Sequence, residues 1–148
     1  WFAAHTEDLP EATDPTFLLN ALCETIRLRA PFSPYNTRRA LEDHVLSDGT
    51  AVCAGQELHV ELMAANRDPD EFADPEKLDV TRDARPQVGF GHGVHKCVGQ
   101  MVAKLETEVM FQALAKRIKR FEPAGEVEFH LNNTVRAFSR IPVRPVPA

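Results

Sequence analysis

The chain has 148 residues, of which 43% are hydrophobic, and a formal net charge of -5. This length and apolar fraction are enough for the core of one ordinary domain, and the mild acidity argues against a dedicated nucleic-acid binder. No apolar run approaches the roughly 20 residues of a membrane-spanning helix, and the N-terminus lacks the basic region and apolar core of a signal peptide. The three cysteines follow no disulfide-framework spacing, which indicates a reducing cytoplasm.

The first predicted element is a helix over Pro15–Arg29. Asp14 suits the N-cap and Pro15 the first helical position, and apolar residues follow at helical spacing. Glu24 and Arg27 stand three positions apart, so their side chains can pair on one face of this helix. Taken alone, the pair is typical of a surface ion pair worth only tenths of a kcal/mol.

Short alternating runs between residues 30 and 62 predict a small β-sheet. Its predicted strands are residues 36–42, 45–46, 50–53 and 57–60. Within the first strand, Arg38 and Arg39 should point to opposite faces. Residues 63–89 show little periodicity, and so long an irregular segment is uncommon unless it serves a function.

Residues 90–99 read Phe-Gly-His-Gly-Val-His-Lys-Cys-Val-Gly and form a glycine-rich turn that ends in a cysteine. Gly91 and Gly93 lack a Cβ, so this turn can be tight and lie close against a flat ligand. Apolar positions from Val98 to about Arg117 predict a helix, which places Cys97 at its N-terminus. The free amide groups and the helix dipole there favour an anionic sulfur, the metal-binding form of cysteine.

The number of sulfur ligands limits the kind of metal site. Zinc and iron-sulfur sites need several spaced ligands, whereas Cys23 and Cys53 are isolated and no C-x-x-C occurs. A single thiolate fits one axial position on haem iron. The alternative is a glycine-rich turn with a buried structural cysteine. Beyond this region, residues 121–131 and 134–146 predict a terminal β-hairpin across Asn132 and Asn133.

Residues 90–99 resemble, position by position, the F-G-x-G-x-H-x-C-x-G haem-binding signature of the cytochrome P450 monooxygenases. The Glu24/Arg27 pair, some seventy residues upstream, resembles the E-x-x-R signature of that family. The resemblance implies an α+β, mainly helical fold, with small sheets, a meander over residues 63–89, the haem-cysteine loop and the following helix. Residues 1–148 would be the C-terminal portion of one such domain, without the N-terminal part and its distal oxygen-activation helix. We expect the full protein to be longer; a naturally truncated product is the alternative.

The resemblance also implies roles for individual residues. Cys97 would be the catalytic thiolate and the axial ligand of haem b. The residues expected to bind this cofactor are Arg38, Phe90, Gly91, His95, Cys97 and Gly99, with Arg38 and His95 directed at the propionates. Possible substrate contacts are Phe32, Ser33 and Phe138.

In the family, a further arginine or histidine in the loop before the cysteine completes the E-x-x-R pair. Lys77 occupies the usual arginine position here, and a lysine lacks the planar, bidentate fork of arginine. We therefore expect Arg82 to join Glu24 and Arg27 in a structural ion pair.

The implied activity is insertion of one oxygen atom from O2 into a small hydrophobic substrate. Electrons would come from a ferredoxin-type partner and its reductase, steered by Lys96, Lys104 and Lys116. No nucleic acid or membrane partner is expected, and the compartment would be the cytoplasm. The alternatives are a truncated haem-thiolate binding or sensing module without oxygenase activity and a non-catalytic fragment that binds no cofactor.

Overall fold

The computed structural model describes residues 14–29, 36–132 and 135–148. In chain order the elements are α1 Pro15–Arg29, β1 Asn36–Arg39, β2 His44–Val45, β3 Ala51–Val52, β4 Glu57–Val60, α2 Leu62–Ala65, a 3-10 turn Gly93–His95, α3 Gln100–Ala115, β5 Ile118–Pro123, β6 Glu128–His130, β7 Ala137–Arg140 and β8 Val143–Pro147. Helices therefore combine with small sheets in an α+β arrangement, as expected. Within the described ranges, no helix is both long and apolar enough to span a bilayer.

Helix α1 has the predicted bounds, and its start is fixed by a side-chain cap. The Asp14 carboxylate accepts a hydrogen bond from the Thr16 amide at 2.8 Å. The Asp14 carbonyl accepts the first helical hydrogen bond, from the Leu18 amide at 3.0 Å. Pro15 has no amide to leave unpaired, so it is suited to the first helical position.

The single sheet predicted over residues 36–60 is instead two separate antiparallel pairs, β1 with β4 and β2 with β3. Strand β1 ends at Arg39 rather than at residue 42, because the Ala40 amide and carbonyl bond to Gln56 and Gly55 and close the pair at a turn. Half-buried and exposed residues alternate along β1. This alternation confirms that Arg38 and Arg39 lie on opposite faces.

The terminal hairpin is present as two ladders. Strand β5 pairs with β8, and β6 pairs with β7, all antiparallel. A hydrogen bond of 3.0 Å from the Ala124 amide to the Pro142 carbonyl joins the two ladders. At the predicted turn, Asn132 is described, whereas Asn133 lies outside the described residues.

Helix α3 begins at Gln100, later than predicted, because residues 97–99 form a turn in front of it. The Gln100 amide donates to the Cys97 carbonyl across this turn at 3.3 Å. No residue of α3 is buried. Its apolar residues Val102 and Leu105 are 57% and 60% exposed and line an open groove of about 590 Å³ against α1.

The largest fully buried side chains in the described part of the chain are Arg27, Glu24 and Asn66. The Arg27 guanidinium donates to the carbonyls of Asn66, Pro75 and Lys77 at 2.8, 2.7 and 3.2 Å. Buried backbone carbonyls must be paired, and one side chain of α1 pairs three of them in a segment that has little secondary structure. We call Glu24, Arg27, Arg82 and these three carbonyls the Arg27 cluster.

Arg27→Lys should lower the free energy of unfolding by about 2 kcal/mol or more, because one ammonium cannot replace five hydrogen bonds to buried acceptors. The matched control is Arg39→Lys, in the exposed pair with Glu57 at 2.9 Å, which should change it by less than about 0.5 kcal/mol. Urea unfolding measures both. If both variants lose equally little free energy of unfolding, the buried Arg27 guanidinium is not needed for stability.

Candidate functional site

The cysteine loop, residues 90–97, folds back on itself. The Cys97 amide donates to the Phe90 carbonyl at 2.7 Å and closes the loop. Two glycines take left-handed backbone angles, Gly91 with φ 76° and Gly93 with φ 58°. An added Cβ on Gly91 would lie 2.6 Å from the His95 carbonyl oxygen, so glycine is required there both by its angle and by its space.

The three cysteines differ in environment. Cys23 is buried on α1, and burial raises the pKa of its thiol, which the positive charge of Lys104 partly opposes. Cys53 is exposed in the turn after β3, and Cys97 is exposed at the end of the cysteine loop. In the described structure the Cys97 thiol is therefore accessible and not buried within the glycine-rich turn.

The surroundings of Cys97 fit a flat, largely apolar ligand with one axial sulfur. Val94 and Val98, its neighbours in the loop, are 97% and 101% exposed. Gly99 has no Cβ, and an added one would lie 3.8 Å from the Cys97 sulfur. Within the described ranges, no cluster of three or more His, Cys, Asp or Glu residues could hold a metal ion by itself. Cys97 offers a single exposed sulfur here, and one cysteine ligand is compatible with haem iron.

The Glu24/Arg27 pair is buried, not on the surface. Both side chains are 0% exposed, and the guanidinium meets both carboxylate oxygens, at 2.7 and 2.8 Å. The structure brings Arg82 to the same carboxylate, with Nε 3.3 Å from Oε1. Lys77 contributes only its backbone carbonyl, and its side chain is exposed. The i, i+3 spacing of Glu24 and Arg27 in the sequence does not by itself indicate that the pair is buried.

The Glu24 carboxylate is held in its charged form. Burial alone would raise its pKa, but hydrogen bonds from the Arg27 side chain and the Asp79 amide, with the charges of Arg27 and Arg82, outweigh burial. The pKa of Glu24 therefore lies below its ordinary value. A buried guanidinium needs such a charged partner.

Three residues that the sequence reasoning missed position the segment that leads into the cysteine loop. The Asn66 side-chain oxygen accepts from the Val88 amide at 2.7 Å, and that of Gln87 accepts from the Gly89 amide at 2.6 Å. A Cβ on Gly89 would lie 2.5 Å from the Ile26 side chain, so the chain passes directly against α1 there. These contacts follow no periodic pattern in the sequence. The one signal that could have indicated them is the length of the irregular segment, residues 63–89.

The other predicted site residues stand apart from these contacts. Arg38 is half-buried and donates to the Thr37 carbonyl at 3.0 Å. Phe138 packs on Phe129, with ring centroids 4.7 Å apart. Within the described part of the chain, no hydrogen bond or ion pair joins Arg38 or Phe138 to the cysteine loop. His95 is exposed, and Phe32 and Ser33 lie outside the described residues.

The family model for cytochrome P450 matches residues 11–144, and the chain belongs to this family. Among curated relatives, it is 39% identical to cytochrome P450 CYP199A2 of Rhodopseudomonas palustris over 91% of this chain and 32% of that protein. It is 38% identical to vitamin D(3) 25-hydroxylase of Pseudonocardia autotrophica over 92% of this chain and 34% of that protein. The chain spans about a third of the length of these relatives.

Solved structures give the same result. CYP108D1 from Novosphingobium aromaticivorans aligns over 99% of this chain and 36% of that chain, with a TM-score of 0.85 and 33% identity. P450BioI, solved in complex with an acyl carrier protein, aligns over 98% and 38%, with a TM-score of 0.86 and 31% identity. The α+β arrangement described above is therefore that of one portion of the cytochrome P450 fold.

Gly91→Ala and Gly93→Ala form a matched pair that tests the loop geometry. Both glycines have positive φ angles, but only at Gly91 would a Cβ meet a backbone atom within 4 Å. Urea unfolding should show a loss of roughly 1 kcal/mol for Gly93→Ala, from backbone strain alone. The loss for Gly91→Ala should be about 2 kcal/mol or more, because the carbonyl must also move. The reverse order would contradict this geometry.

Proposed function

We propose that residues 1–148 are the C-terminal haem-thiolate portion of one cytochrome P450 domain. The protein is then a haem-dependent monooxygenase that inserts one oxygen atom from O2 into a small hydrophobic organic substrate. The observation that carries this proposal is the exposed thiol of Cys97, at the end of a closed glycine loop, in a chain of this family. Two of the relatives are named as hydroxylases, of 6-deoxyerythronolide B and of vitamin D(3).

The cysteine loop supplies most of the proposed haem-binding residues. Cys97 would hold the iron through its sulfur, Phe90 stands at the base of the loop, and Gly91 and Gly99 would allow close approach to the ring. His95 is placed by its motif position to bind a propionate. When bound, haem b supplies the redox chemistry that activates O2. The chain's own task is to hold one sulfur outward while the loop hydrogen bonds keep it in place.

Arg38 is the second proposed propionate ligand. It lies on the half-buried face of β1, and its guanidinium has no acidic partner in the described part of the chain. Its neighbour Arg39, in contrast, pairs with Glu57 at 2.9 Å on the exposed face. A guanidinium without a carboxylate partner is suited to bind a carboxylate of the cofactor.

The proposed partners are a ferredoxin-type protein with its reductase, the remaining part of the polypeptide, and the substrate. Lys96 is exposed in the cysteine loop, and Lys116 is exposed at the end of α3, while Lys104 is half-buried. Positive charge at Lys96, next to Cys97 in the chain, would steer an acidic redox partner. Phe138, which is 51% exposed, is the described candidate for substrate contact. The proposed compartment is the cytoplasm.

The test is the absorption spectrum of the natural full-length protein, reduced and exposed to carbon monoxide. The wild type should show a strongly red-shifted Soret band, because a thiolate donates electron density to the iron. Cys97→Ser should abolish this band, whereas Cys53→Ser, which changes the other exposed cysteine, should leave it unchanged.

Two results would contradict the proposal. A red-shifted band that survives in Cys97→Ser would exclude this sulfur as the ligand. A colourless wild-type protein would instead favour a protein of this family that binds no cofactor.

A further inference from the structure

Asn66 is a fully buried polar residue between α1 and the start of the cysteine loop. Its backbone carbonyl accepts from Arg27 Nη1 at 2.8 Å, within the Arg27 cluster. Its side-chain Oδ1 accepts from the Val88 amide at 2.7 Å. Its own amide donates to the Leu62 carbonyl at 3.0 Å, which ties it to α2. One residue therefore touches both the Arg27 cluster and the segment that leads into the cysteine loop.

The orientation of the Asn66 amide follows from its neighbour. The Val88 amide is a donor, so the oxygen must face it and Nδ2 must point away. Nδ2 is buried and has no hydrogen-bond partner among the described residues. The contact that Oδ1 makes is the feature that accounts for an amide here.

The contact continues from Val88 to the thiol. The Val88 carbonyl accepts from the Gly91 amide at 2.8 Å, and the Phe90 carbonyl accepts from the Cys97 amide at 2.7 Å. Between them, Gly89 lies against Ile26 with no space for a Cβ. A displacement of the Val88 amide would therefore move the turn at Gly91, and with it the position of Cys97.

We propose that Asn66 is a positioning residue for the Cys97 thiolate. Its side-chain oxygen fixes the Val88 amide, and its backbone carbonyl ties that contact to Arg27. The sulfur is thereby held at a set position relative to α1. This inference rests on the proposed haem-thiolate function.

The test compares three variants of the natural full-length, haem-loaded protein. Asn66→Ala removes the acceptor, and Asn66→Asp keeps an acceptor oxygen while removing Nδ2. Asn132→Ala is the matched control, because Asn132 Oδ1 accepts from the Val135 amide at 3.0 Å in the terminal ladder. The readouts are the Soret band of the reduced carbon monoxide form and amide hydrogen exchange of the peptide containing Val88.

We expect the wild type, Asn66→Asp and Asn132→Ala to keep the strongly red-shifted band. Asn66→Ala should lose most of that band and exchange the Val88 amide about tenfold faster or more, the factor expected for loss of a buried hydrogen bond. Retention of band and protection in Asn66→Ala would overturn the inference. If circular dichroism shows both variants to be folded, equal loss of Val88 amide protection in Asn66→Ala and Asn66→Asp would also overturn it, because the acceptor oxygen would then not protect that amide.

If Asn66→Ala does not accumulate as folded protein, hydrogen exchange of the Val88 amide in the wild type and in Asn66→Asp is the test. An unprotected Val88 amide in the wild type overturns the inference. A Val88 amide that is protected in both proteins supports it. If the wild type itself lacks the red-shifted band, the proposed function fails. Exchange at Val88 in Asn66→Ala would then still show whether Asn66 holds the loop.

Discussion

A single buried guanidinium, that of Arg27, holds the irregular segment of this chain in place. Residues 66–89 form neither a long helix nor a sheet, so their buried carbonyls need partners from elsewhere. Arginine presents five donors in a rigid plane, and here they reach one carboxylate and three carbonyls. A buried charge would be costly without Glu24, which stays ionised because its pKa is lowered by the same contacts.

The position of this interaction explains how α1 can organise the cysteine loop from a distance. Arg27 faces the irregular segment, while the preceding residue, Ile26, contacts Gly89 at the start of the loop. Adjacent residues of a helix point in different directions, so one turn of α1 supports both. The thiol is consequently exposed on a loop whose base is fixed by buried contacts. This combination suits a ligand that binds a metal from one side while its supporting chain stays rigid.

The structural features that could be predicted from the sequence are those set by residues close together in the chain. The cap at Asp14 and the proline after it gave the start of α1, and alternation gave the two faces of β1. The argument that a lysine cannot replace the arginine fork led to Arg82, which does lie beside Glu24. The family resemblance was carried by spaced signature residues and was shown by the comparisons.

The features that sequence reasoning missed are long-range. The contact between Asn66 and Val88 and the close approach of Gly89 to Ile26 join residues with no common periodicity. The start of α3 was placed too early because an apolar pattern does not show that residues 97–99 turn before the helix begins. The division of the first sheet into two pairs likewise depends on hydrogen bonds at Ala40 that no alternation reveals.

If Glu24 and Asn66 support the cysteine loop through one network centred on Arg27, substitutions at the two residues should not have independent effects. The most direct measurement is the rate of haem loss from the full-length protein in a double-mutant cycle of Glu24→Gln and Asn66→Ala. The free-energy effects of substitutions at residues of one network do not add. The double variant should lose haem about as fast as the faster single variant. If the fold-increase in its rate instead equals the product of the two single fold-increases, the two residues act independently and no common network joins them.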